Sequence, residues 1–169
     1  MRDPSFIVFT GPMFGSKTTR MLAAIDRLRW QKRNYIAFKP KIDDRYGANR
    51  ITTHSGGSIE AHEVSTGKEL LKIFNEKDNP DIVAVDEAFM IEGVGKVLVD
   101  LFRKGTTVIV SSLQLSSWGE PFIEMKEILP WATKIEICPA VCPISGRDAY
   151  YSFCKRDRRD GILVGGAES

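Results

Sequence analysis

Residues 11–20 read GPMFGSKTTR and residues 81–87 read DIVAVDE. The first stretch places two glycines, a lysine and a run of hydroxyls between an apolar segment, FIVFT, and a helix-like one, MLAAIDRLRW. A glycine-rich turn that opens a helix gathers backbone N–H groups and a lysine ammonium around one point, and such a point binds phosphate. The second stretch runs four apolar residues into two carboxylates, Asp86 and Glu87, at the carboxyl end of a strand. Thr18, directly after the lysine, and Asp86 together make an oxygen site for magnesium beside the phosphates of a nucleotide such as ATP. Read singly, the first motif is a strand-to-helix turn and the second a solvated strand end. The pair is much more specific than either alone.

The order of the turn departs from the usual G-x-x-x-x-G-K-[ST], in which a glycine directly precedes the lysine. Here Ser16 precedes Lys17, and Gly15 stands one place early. Glycine at that point gives access to backbone angles that serine tolerates poorly. The sequence therefore predicts that Gly15 carries the unusual torsion one residue early and that the loop still binds phosphate. Gly11, Pro12, Met13, Phe14, Gly15, Ser16, Lys17, Thr18 and Thr19 then form the nucleotide loop.

These groups need elements to hold them. SFIVFT, NYIAFKP, DIVAVDE and TTVIVSSL are apolar without polar alternation, the pattern of strands buried on both faces. Helical patterns lie between them: Met21, Leu22, Ile25 and Leu28 form one stripe, STGKELLKIFNEK opens on a Ser or Thr cap, and EGVGKVLVDLFRKG ends at a glycine. Strands alternating with helices imply an α/β fold of the P-loop NTPase type, a mostly parallel central sheet flanked by helices, with ligands at the carboxyl ends of its strands. PFIEMKEILPWA predicts a short helix, TKIEIC a further strand, and from Pro139 onward the chain reads as an irregular, glycine- and arginine-rich tail. The division that follows is an α/β core at 1–137 and a small C-terminal region at 138–169.

The 169 residues suit one domain with a proper core. A formal net charge of +2, with 27% charged residues, argues against attachment to nucleic acid or membrane by bulk electrostatics. No run approaches the roughly 18 apolar residues of a membrane span, and MRDPS is not a signal peptide, so the expectation is a soluble, cytoplasmic protein. Three cysteines, Cys138, Cys142 and Cys154, do not make a disulfide framework; reduced thiols or a metal site are the alternatives.

With these motifs placed, the chain resembles the type II thymidine kinases, small one-domain nucleoside kinases. GPMFGSKTTR is similar to the family's GPMF-[SA]-GK-[ST]-T, FKPKIDDRY to its KP-x-x-D-x-R-Y, and ITTHSG to its THDG-like turn. Further on, VDEAFM resembles VDEAQFF, SSLQLSSWGEPF resembles GLD-x-x-F-x-GEPF, and AVCPISGRDAYYS followed by LVGGAE resembles the zinc segment and substrate lasso. A P-loop NTPase of unrelated purpose does not account for six matches in order. The resemblance implies phosphoryl transfer from ATP to the 5'-hydroxyl of thymidine or a related deoxynucleoside, with magnesium, in a homotetramer. It implies Glu87 as general base, Asp86 and Thr18 as magnesium-holding groups, Lys17 and Arg45 as cations on the phosphates, and Asp43 close to them. A relative that has lost catalysis and serves as a binding or assembly subunit is the alternative.

The resemblance also places the nucleoside pocket and shows where this chain departs from the pattern. Met13 and Leu113 match pocket residues, Phe122 falls within GEPF, and Leu163, Val164 and Gly165 match the lasso amides that hold the pyrimidine edge. Phe89 replaces the family glutamine, Met90 the next phenylalanine, and Ser152 a threonine near the thymine methyl. The phenylalanine that stacks on thymine aligns with Ser117, with Trp118 adjacent as a substitute. No tyrosine follows GGAE, and Tyr150 and Tyr151 lie upstream in its stead. Cys142 stands at the first zinc-ligand position but Ser145 at the second, so a structural zinc is disfavoured and Cys142 is a remnant ligand. Without zinc the tail is expected to be mobile until substrate binds. His54 reads as a structural hydrogen-bonding residue, Tyr46 as a packing one, and Lys155, Arg156, Arg158 and Arg159 as a solvated face.

Overall fold

The computed structural model describes residues 3–42, 49–53 and 55–153. Six parallel strands form the central sheet: β1 (Phe6–Thr10), β2 (Tyr35–Pro40), β5 (His62–Val64), β6 (Ile82–Asp86), β7 (Thr107–Ser112) and β8 (Lys134–Ile137). Their order across the sheet is β5-β2-β6-β7-β1-β8. β3 (Arg50–Thr52) and β4 (Ser58–Glu60) make a separate antiparallel hairpin, and β9 (Ala140–Val141) pairs with β10 (Asp148–Ala149) in another.

The four runs read as doubly buried strands are the four inner strands of this sheet, and no residue of β6 or β7 is exposed. Alternate residues of each strand enter two cores. On one face Phe9, Ala37, Ala84 and Ile109 pack with Met21 and Ile25 of helix α1 (Lys17–Arg29). On the other face Val8, Phe38, Val85 and Val110 join Leu70 and Phe74 of α2 (Gly67–Glu76), Leu98 and Val99 of α3 (Val94–Arg103), and Met125 and Ile128 of α4 (Ile123–Ile128). Each such aliphatic or aromatic side chain contributes about 1.5–3 kcal/mol on burial, which makes the sheet the rigid part of the molecule. β8 lies at an edge, and its Ile135 and Ile137 are exposed.

Local chemistry fixes the helix ends. Thr66 caps α2 by accepting from the Glu69 amide at 3.2 Å, while the Glu69 carboxylate reaches back to the Ser65 amide at 2.8 Å, close to a capping box. α3 stops at Gly105, whose φ of 102° allows the Gly105 amide to reach the Phe102 carbonyl and the Thr106 amide to reach that of Leu101. The start of α3 is capped from outside: the buried carboxylate of Glu124, on α4, accepts from the amides of Gly93 at 2.8 Å and Gly95 at 2.6 Å.

One expectation is corrected, and three short strands are added. The segment after Pro139 is not wholly irregular, because β9 and β10 close a short hairpin there. The pieces β3, β4 and β5 had no signal of their own, since three-residue strands are shorter than any periodicity can mark. The short helix and the strand expected after Pro121 are α4 and β8.

Candidate active site

The loop between β1 and α1 is shaped by the carbonyl of Cys138, which follows β8. A Cβ at Gly11 would lie 2.4 Å from that oxygen and one at Gly15 2.2 Å from it. Both positions therefore need glycine for room. The expectation that Gly15 carries the unusual torsion is wrong: the left-handed angles fall on Phe14 (φ 63°) and on Ser16 itself (φ 58°, ψ 26°), and Gly15 is not among the positive-φ residues. The loop thus uses its displaced glycine for close approach, and Ser16 carries a strain of about 1 kcal/mol. Ser16 makes no side-chain cap on α1, so the first-turn amides of that helix face the loop without one. Lys17 is 7% exposed, and its Nζ donates to the Pro12 carbonyl at 2.6 Å, which folds the ammonium back over the loop.

The loop and the carboxylate strand meet directly. Thr18 Oγ1 donates to the Asp86 carboxylate, 3.1 Å from Oδ1 and 3.2 Å from Oδ2, across 68 residues of sequence. Asp86 ends β6 in a buried position. Glu87 then takes a left-handed conformation (φ 49°, ψ 46°) and starts a single 3-10 turn, Ala88–Met90. That turn carries the second carboxylate off the line of the strand, and its Oε2 is shielded from solvent. Strained backbone of this sort at a strand end is a common mark of a working site.

The oxygen groups here suit a hard divalent ion. Thr18 and Asp86 are a hydroxyl and a carboxylate in contact, and the hydroxyl of Ser111, fully buried on β7 at the level of Asp86, has no hydrogen-bond partner among the described residues. Among the described residues no three His, Cys, Asp or Glu side chains gather at one point. An ion here would then complete its shell from nucleotide phosphates and water, as magnesium does. Lys39 is a further group that sequence reasoning passed over. It lies one residue beyond the Phe38–Val85 pair of β2 and β6, level with Asp86, is 3% exposed, and pairs with Glu63 at 3.5 Å. The signal for it was its place in FKPKIDDRY; a lysine ending a strand otherwise reads as solvated.

The residues expected on the nucleoside side lie largely on loops. Residues 113–122 form a narrow excursion in which Leu115 bridges Pro121 and the Gly119 amide closes a turn on the Ser116 carbonyl at 3.0 Å. Ser117 and Trp118 are the two central residues of that turn, both half-buried. At its base Phe122 donates its amide to the Gln114 carbonyl, and the Phe122 ring lies 4.5 Å from that of Phe89. Phe89, in the glutamine position, is therefore a buried packing residue, with its amide on Ser112 Oγ at 3.1 Å. Met90 and Leu113 are half-buried near these rings in sequence. Ser152 is brought to the loop itself, its Oγ accepting from the Met13 amide at 3.1 Å. Asp43, Arg45, Tyr46, His54, Cys154, Lys155, Arg156, Arg158, Arg159, Leu163, Val164 and Gly165 lie outside the described residues, as does the expected mobile tail beyond Phe153.

The two described cysteines are free thiols in opposite environments. Burial pushes the Cys138 thiol up. Cys142 sits in a turn closed by its own amide on Arg147 and the Gly146 amide on Cys142, and the Ser145 hydroxyl, followed by nearby backbone, draws its thiol below the ordinary range.

Comparison with known proteins agrees with this geometry. The family model for thymidine kinase matches residues 5–169. A thymidine kinase from Thermococcus kodakarensis is 36% identical over 172 residues, spanning 96% of this chain and 87% of that protein. Among solved structures, the genome packaging NTPase B204 of Sulfolobus turreted icosahedral virus 2, in complex with sulfate, superposes with a TM-score of 0.50 at 15% identity, covering 80% of this chain and 74% of the other. That likeness concerns the fold alone. The sheet order, the loop joined to its carboxylate strand and the match along almost the whole chain lead to one assignment: the chain belongs to the thymidine kinase family.

Proposed function

We propose that this chain transfers the γ-phosphoryl group of ATP to the 5'-hydroxyl of thymidine or a closely related deoxynucleoside, with Glu87 as general base. The observation that carries the reading is the hydrogen bond from Thr18 to Asp86, because it fixes the phosphate loop against the strand end from which Glu87 projects. A sugar hydroxyl is a weak nucleophile, and its proton must leave as the bond to phosphorus forms. Glu87 accepts that proton. Lys17 and the first-turn amides of α1 hold the phosphates in place, and Arg45 and Asp43 complete this set by family resemblance. The residues fit magnesium, held by Thr18 and Asp86, which when bound neutralises charge on the phosphates.

On the nucleoside side, Met13, Met90, Leu113, Phe122 and Ser152 line the base, with Ser117 or Trp118 in the stacking position. By family resemblance Leu163, Val164 and Gly165 supply the backbone amides that hold the pyrimidine edge. The exposed Ile135 and Ile137 of edge strand β8 support assembly into a homo-oligomer.

The test is steady-state transfer from Mg-ATP to thymidine, deoxyuridine and deoxycytidine, in the parent protein and in Glu87→Gln. Thymidine-dependent turnover that falls on the order of a thousand-fold in the variant, with ATP binding retained, is the expected result. ATP binding without turnover on any nucleoside would instead identify a binding subunit of the same family.

A further inference from the structure

Ser111 occupies the strand between the two halves of the phosphate site. β7 separates β1, which delivers the loop, from β6, which delivers Asp86. The register sets Ser111 opposite Phe9 on one side and opposite Asp86 on the other. Register partners on neighbouring strands present side chains to the same face. Here that is the face covered by α1, where Ile109, two residues earlier, packs with Met21 and Ile25, and where Thr18 meets Asp86. The Ser111 hydroxyl is fully buried and has no hydrogen-bond partner among the described residues. Its neighbour Ser112 faces the other way and is satisfied, accepting from the Phe89 amide and donating to the Leu113 carbonyl.

Buried hydroxyls without partners are uncommon, and one beside the Asp86 carboxylate points to a missing polar group. What that group is follows from the two flanks of Asp86. On the β2 side stands Lys39, a buried ammonium already paired with Glu63; on the β7 side stands Ser111, neutral and able to accept. A hydrogen-bond donor brought to Asp86 by a bound ion therefore finds a neutral, buried acceptor on the serine side. Magnesium keeps several of its waters when bound, and each has hydrogens to donate.

We propose that Ser111 is a positioning residue of the magnesium site: its hydroxyl oxygen accepts a hydrogen bond from a water in the ion's shell and so favours the nucleotide–magnesium complex over the nucleotide alone. This rests on the reading of Thr18 and Asp86 as the metal-holding groups.

The experiment measures ADP binding by calorimetry with magnesium and with EDTA, in the full chain and in Ser111→Ala and Ser111→Cys, alongside the melting temperature without ligand. In both variants the tightening produced by magnesium shrinks about five-fold, the worth of one hydrogen bond. Affinity in EDTA stays the same, and the melting temperature is unchanged or higher, since no protein group loses a partner. Magnesium tightening that is undiminished in both variants overturns the inference. So does a parallel loss in magnesium and EDTA with a lower melting temperature, which is the signature of packing. If the parent protein shows no tightening by magnesium, the metal reading itself falls, a result distinct from failure of the serine's role.

Discussion

The two halves of the proposed site are made in different ways. The phosphate half is cut into the core: Lys17, Lys39, Asp86 and Ser111 are all buried, on strands and a helix start that the sheet holds in place. The nucleoside half hangs on loops: Ser117 and Trp118 stand at a turn tip, the hairpin strands β9 and β10 are two residues long, and Tyr151 and Phe153 are 71% and 83% exposed. Charge stabilisation needs dipoles and cations already fixed when the reaction begins. A planar base needs a surface that closes on it after entry. The division of the molecule follows the division of the chemistry.

Substitutions that break the rigid half should have the largest effects. Gly15→Ser would restore the residue that the family pattern allows at this place, yet its Cβ would meet the backbone oxygen of Cys138 at 2.2 Å. Backbone cannot rotate away as a side chain can, so overpacking should cost upward of about 3 kcal/mol and abolish saturable ATP binding at millimolar concentration. Melting temperature and a nucleotide titration read both effects, and normal binding would show that the Cys138 carbonyl is not held there. Ser16→Gly, one residue on, should act in the opposite direction. Relief of a left-handed serine should stabilise the protein by about 1 kcal/mol, seen in denaturant unfolding.

The flexible half should respond more gently. Trp118→Ala should raise KM for thymidine about ten-fold with KM for ATP unchanged, the loss expected of one stacking surface. Equal losses for both substrates would mean that the turn at 116–119 props up the phosphate site, and the contrast between the halves would have to be redrawn.

The same contrast governs what the sequence disclosed. The inner strands, and the meeting of the loop with the strand end at Asp86, were legible because burial on both faces leaves an unbroken apolar run and because a phosphate-loop pattern restricts residue types. The role of Gly15 was misread, since torsion is the usual reason for a glycine in a loop and the actual reason is an oxygen contributed 123 residues later. Lys39 and Ser111 were passed over for a related reason: a polar residue at a strand end looks solvated until the register places it beside a carboxylate. Ser152 was placed in the base pocket, but its contact with the Met13 amide depends on the path of the whole C-terminal segment.

That path makes Cys142 the finest probe of the boundary between the halves. Its thiol is drawn down by the Ser145 hydroxyl, whereas burial raises that of Cys138. Thiolate is the nucleophile, so iodoacetamide near neutral pH should label Cys142 well ahead of Cys138, with a rate that levels off below the pH of about 8.5 typical of a free thiol. Peptide mapping identifies the labelled residue. If the turn at 142–147 belongs only to the flexible half, Cys142→Ala should change thymidine turnover by no more than about two-fold, the range of a substitution away from core and site. A larger loss would mean that strain in this turn reaches the phosphate loop through the Cys138 carbonyl and the Ser152 hydroxyl, which both lie against it.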